Sequence, residues 1–114
     1  MAQKKSINNV KASSLHQFCK DCFLDLNADS IQVLKDKYLT ANIKKILSDV
    51  ELYDSLKCLF ENNLNISETS RNAFVHRNTL VYRLDKIQKV TFLDARKFED
   101  AVTLYLCMWL NSQN

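Results

Sequence analysis

A chain of 114 residues, 46% apolar and 25% charged, with a formal net charge of +3, has the size of one compact domain and can bury roughly 65% of its unfolded surface. It contains neither glycine nor proline. That argues against P-loops, dinucleotide-binding turns and nucleophile elbows, where backbone must approach a ligand closely or take positive φ, and against tight hairpins, which lean on Asn-Gly or Asp-Gly.

The start "MAQKKSINNVKASS" is polar and carries no secretory pattern, so residues 1–12 are expected as a disordered tail. From Leu15 the apolar residues Leu15, Phe18, Cys19, Cys22, Phe23 and Leu26 recur on one helical face. A second helix is expected from an N-cap at Asp29 or Ser30, with Ile31, Leu34 and Tyr38 inward; a third, short one carries Ile43, Ile46 and Leu47. "SDVE", Ser48 to Glu51, has capping-box spacing ahead of a helix that buries Leu52, Leu56, Leu59 and Phe60. "ENNLN", Glu61 to Asn65, reads as a loop, because asparagine tolerates turn conformations.

Asn65 with Glu68 repeats the capping pattern and opens a short helix from Ile66 to about Ala73. A turn at Phe74–Val75 leads into "VHRNTLVYRLDKI", a helix ending near Lys89 or Val90. Asp94 is expected to cap the last helix, with Phe98, Val102, Tyr105 and Trp109 on one stripe and Ala101, Leu104 and Met108 widening it. The fold class predicted is an all-α bundle of about seven helices. Residues 13–47 form an N-terminal helical segment and residues 48–114 a second unit.

Residues 65–87 form a capped short helix, a tight turn and a longer basic helix, which is helix-turn-helix spacing. Between Arg71 and Lys89 five basic residues face one acid, Asp85, so this stretch is +4 and the remainder −1. Local positive charge of this kind is the footprint of a nucleic-acid binder. At 100° per residue Leu80, Leu84 and Ile87 share one face, with Asn78, Tyr82 and Lys89 opposite. Small residues on the first helix, Ser70 and Ala73, suit close approach of the two helices. Arg77 and Asn78 are the types that read guanine and adenine bidentately. Thr79, Tyr82 and Lys86 suit phosphate contacts, and His76 falls at the N-cap, where a phosphate meets the helix dipole. Arg83 lies near the core edge, placed either to touch DNA or to pair with an acid such as Asp54 or Glu61. The same pattern also suits a surface helix of a bundle, and periodicity and charge leave both open.

Other chemistry finds less support. His16, Cys19 and Cys22 in "HQFCKDC" have half the spacing of a zinc or redox site, but both cysteines lie on an apolar stripe, and no second pair follows. They read first as core, with Cys58 and Cys107 isolated in other helices. Glu99 and Asp100 are adjacent and do not share a helical face. No enzyme, metal or cofactor is expected. The apolar run from Ala101 to Leu110 is far short of the ~20 residues that span a bilayer. A soluble cytoplasmic protein with reduced cysteines is expected.

The stretch "SLKCLFENNLNISETSRNAFVHRNTLVYRLDKI" resembles the C-terminal DNA-binding domain of PucR/CdaR-family bacterial regulators. Those domains read "TL-x-x-YLE-N…N-x-SEAA…L-x-VHRNTL-x-YRL-x-x-I". Ser55-Leu56, Glu61-Asn62, Asn65, Ser67-Glu68, Val75 to Leu80 and Tyr82 to Leu84 match. A looser similarity extends to Fis-type helix-turn-helix proteins. The likeness covers about residues 50–110, and more weakly the helical segment ahead of it.

It implies a double-stranded DNA partner in transcription regulation, with His76, Arg77, Asn78, Thr79, Tyr82, Arg83 and Lys86 as DNA-binding candidates. It also implies a sensory region that a chain this short does not hold, so an excised fragment is expected rather than a stand-alone protein. Departures are Val81 at an often basic position, Ser70 for alanine, and Ala73 for leucine, which leaves room for Phe74. Phe92 stands where the family has glycine, which predicts a rebuilt turn. The wide apolar surface of the last helix suits a homodimer interface. A helical interaction module without DNA binding is the alternative function.

Overall fold

The computed structural model describes Cys19 and residues 27–113. Among these residues the chain is all-α, with six helices in order: α1 Ala28–Tyr38, α2 Ala41–Ser48, α3 Val50–Glu61, α4 Ile66–Asn72, α5 Arg77–Thr91 and α6 Phe98–Asn111. The tail expected over residues 1–12 lies outside the described residues. So does the helix expected over Leu15–Leu26, apart from Cys19, which is helical and buried in the core.

Five of the six helices begin at a side-chain cap. Asn27, Thr40, Asp49, Asn65 and His76 each accept from a backbone N–H in the first turn, satisfying a donor that the helix itself leaves orphaned. Asn65 acts as expected, with Oδ1 accepting from the Glu68 N–H at 2.9 Å. Three other caps differ from expectation. Asn27, not Asp29 or Ser30, caps α1, its Oδ1 accepting from the Ser30 N–H at 2.8 Å. Asp49, not Ser48, starts α3, because Ser48 still belongs to the last turn of α2 and bonds the Lys45 carbonyl. Asp94 does not cap α6. That helix begins three residues later, after Lys97, without a side-chain cap bond.

Helices α2, α3, α4 and α5 pack on one another, and α6 closes the bundle against α1 and α2. One core runs through Ile43, Ile46, Leu47, Leu52, Leu56, Leu59, Leu80, Leu84, Ile87 and Leu104. Two faces differ from their periodicity. Tyr38 stays exposed at the end of α1, where only Leu34 leans on the core. On α6 Trp109 is buried as expected, but the buried face otherwise runs through Ala101, Leu104, Cys107 and Leu110, and Phe98 points outward.

The lack of glycine does not remove left-handed backbone. Asn63, Leu64, Phe74 and Phe92 all have φ between 56° and 64°. At the turn after α5 Phe92 takes the left-handed conformation that glycine favours and donates its N–H to the Gln88 carbonyl. Phe74 does not fill the room left at Ala73, because its ring is 94% exposed; Val75 packs on the core instead. A left-handed non-glycine residue costs about 1–2 kcal/mol. Since the Phe92 ring is 85% exposed, Phe92→Gly should raise stability by about 1 kcal/mol. An upward shift of the denaturant midpoint at constant slope would show it.

The segment joining α5 to α6 is held by Arg96. It binds Asp85 at 2.8 Å, Asp94 at 2.7 Å and the Gln88 side chain at 3.1 Å. Burial alone would raise the Asp94 carboxyl, but the hydrogen bonds and charge of Arg96, with Lys97 nearby, together hold it below its ordinary value of 3.8. A depressed carboxylate contributes stability above its unfolded value and loses it as pH falls through the folded one. Melting temperature should therefore drop below about pH 4, and Asp94→Asn should flatten that limb while lowering stability at neutral pH.

Candidate nucleic-acid interface

The α4–turn–α5 unit rests on three helices. Helix α3 lies under both α4 and α5, and α4 packs directly on α5. The fully buried residue of α4 is Thr69, not Ser70 or Ala73. Its hydroxyl donates to the Asn65 carbonyl at 2.6 Å, and its own carbonyl accepts from Cys58 Sγ at 3.7 Å. A short polar side chain that satisfies itself locally lets α4 approach α3 closely. Cys58 and Cys107 serve as packing groups here. Both thiols are pushed above their ordinary value, Cys107 by burial, Cys58 by burial and then by the Glu61 carboxylate, against a lowering bond from Asn62.

Helix α5 is about 22 Å long at 1.5 Å per residue. Leu80, Leu84 and Ile87 are fully buried beneath it, as their spacing requires. That anchor turns the rest of the helix outward. His76, Arg77, Asn78, Thr79, Tyr82 and Lys86 are all exposed, so six of the seven expected residues are open to solvent. His76 Nδ1 accepts from the Asn78 N–H at 3.0 Å, closing the N-terminus of α5 and leaving Nε2 as the ring nitrogen free for a further partner. Arg77, the first residue of the helix, donates from Nη1 to Ser67 Oγ at 3.0 Å. The single acid of the helix, Asp85, is paired with Arg96, which weakens its negative field on this surface.

Arg83 separates from the group. Its guanidinium binds Glu51 at 2.6 Å and Ser55 Oγ at 3.3 Å, with only 19% of the side chain exposed. The acid is Glu51, not Asp54 or Glu61. Arg83 fastens α5 to α3, and its donors face the protein. Sequence pointed to Glu51 only as part of a capping pattern, to Ser55 and Ser67 only as family matches, and to Arg96 not at all. Each acts across 8 to 32 residues, beyond any local spacing rule.

A family model described as the PucR C-terminal helix-turn-helix domain matches residues 52–110, more than half of the chain. The chain belongs to this family. PucR-type relatives include the carbohydrate diacid regulator of Escherichia coli, 36% identical over 73 residues, 64% of this chain and 19% of the relative. The purine catabolism regulatory protein of Bacillus subtilis is 28% identical over 83 residues, 73% of this chain and 16% of that protein. A proline-responsive transcriptional activator of the same organism is 33% identical over 63 residues, 55% of this chain and 15% of the activator. The chain therefore spans about a fifth of the length of the curated relatives it matches. No solved structure matches significantly. Among the described residues no helix is long and apolar enough to cross a membrane, and no group of histidine, cysteine and carboxylate side chains is placed to hold a metal ion.

Proposed function

We propose that this PucR-type domain binds double-stranded DNA in a sequence-specific manner as the reading module of a cytoplasmic transcription regulator. Helix α5 enters the major groove by its N-terminal turn, and α4 braces it across the backbone. Arg77 and Asn78 read base edges; His76, Thr79, Tyr82 and Lys86 hold phosphates and fix register. Arg83 acts through Glu51 as an internal brace.

The observation that carries this reading is the exposure of Arg77, Asn78, Thr79, Tyr82 and Lys86 on α5, with His76 at its cap, over a fully buried Leu80–Leu84–Ile87 anchor. An interaction module without DNA binding has no need for a basic, hydrogen-bonding face of this composition. Two copies about one DNA turn apart would read a two-fold site.

Selection from random duplexes tests it. The expected product is a short enriched sequence containing guanine and adenine contacts, present as an inverted repeat if two copies bind together. Recovery of unenriched duplexes, or no recovery at low salt, would remove the proposal in favour of a protein-binding helix.

A further inference from the structure

We infer that Ser67 is a positioning residue for Arg77, presetting the guanidinium for a guanine. The inference rests on the DNA-binding reading above and adds a residue outside the recognition helix to it. The link is a hydrogen bond that crosses the turn. Arg77 Nη1 donates to Ser67 Oγ at 3.0 Å, between the first residue of α5 and the second residue of α4. Both residues are exposed, so neither is held there by burial.

The backbone around Ser67 is fixed from both sides. Asn65 caps α4 through the Glu68 N–H, and the Ser67 carbonyl accepts from Ser70 Oγ at 3.0 Å. Arg77 sits behind the His76 cap, which sets the first turn of α5. The bond therefore joins two preset points, and the flexible part is the arginine side chain alone.

Arginine has five N–H donors in a planar fork. One goes to Ser67, which leaves a two-donor edge through Nη2 for guanine O6 and N7. A free arginine must give up rotamer freedom on binding, and one held in advance gives up less. Among the described residues the Arg77 side chain makes no other ion pair or hydrogen bond: the acid of α4, Glu68, is taken by Arg71 at 2.9 Å. Ser67 thus orients Arg77 without neutralising it, as a carboxylate would.

The test uses the 114-residue chain and its selected duplex, with each guanine replaced in turn by 7-deazaguanine, which lacks the N7 acceptor. Wild type, Ser67→Ala, Ser67→Thr and Arg77→Ala are compared for affinity, with thermal melting as the control for folding. Wild type should show an affinity loss at one guanine that Arg77→Ala does not show. Ser67→Ala should bind the unmodified site about three- to tenfold more weakly, the size of ordering one long side chain on binding. Its penalty at that guanine should shrink, and Ser67→Thr, which keeps the hydroxyl, should restore both.

Wild-type affinity and a full penalty in Ser67→Ala would overturn the inference while leaving DNA reading by Arg77 intact. Weaker binding with an undiminished penalty would overturn it too, since Ser67 would then touch the backbone directly. If Arg77→Ala itself binds and discriminates like wild type, the underlying reading falls, and the inference with it.

Discussion

Arg77→Ala and Asn78→Ala should each cost about 1–3 kcal/mol of specific DNA affinity, between about fivefold and 150-fold, and each should relax preference at one base position. The expectation follows from where α5 places them. Both sit in its first turn, exposed, beside the His76 cap. Neither contributes to the core, so melting should move by no more than about 0.5 kcal/mol in stability. That separation is the diagnostic. A variant that loses discrimination but keeps its fold has lost base contacts. Because the residues are neighbours, the double variant need not equal the sum of the singles. Lys86→Ala should behave differently, weakening binding to all sequences about equally.

Leu84→Ala should destabilise the domain by about 2–5 kcal/mol. Leu84 is fully buried in the core cluster, on the helix that packs against α2, α3 and α4. Its removal leaves a cavity that four packed helices cannot readily close. A loss of that size is a large part of the 5–15 kcal/mol total of a typical domain. Denaturant unfolding would measure it directly. DNA binding should fall in step with the folded fraction, with base preference unchanged in the molecules that remain folded. Leu84→Met, which nearly conserves volume, should cost less than about 1.5 kcal/mol. A Leu84→Ala variant as stable as wild type would mean that α5 is not anchored by this face.

Helix α5 was legible in the sequence because its two faces differ in chemistry as well as in spacing. Leu80, Leu84 and Ile87 mark one side, and Asn78, Tyr82 and Lys89 mark the other. Helix α6 offered no such contrast. It is apolar nearly all round, so periodicity alone had no means to choose between the Phe98 side and the Ala101–Leu104 side. Ser48 and Asp49 can both cap a helix, and local pattern does not decide which one the preceding helix has already used. Phe74 and Phe92 misled for another reason. A large aromatic is normally a core residue, yet both hold left-handed turn positions and face outward. The ion pair between Arg83 and Glu51 joins residues 32 apart. Only the packing of α5 on α3 brings them together, so half of that brace was visible as an arginine near the core edge and its partner was not.

The measurement that tests DNA binding by α5 most directly is affinity for a mixed-sequence duplex across a salt series, for wild type and for Lys86→Ala. Counterion release requires log K to fall linearly with log salt, with a slope near −0.9 for each phosphate neutralised. Wild type should show a steep fall, and Lys86→Ala a slope shallower by about 1. Weak binding with no salt dependence, or a steep slope that Lys86→Ala leaves unchanged, would contradict the placement of DNA along this helix.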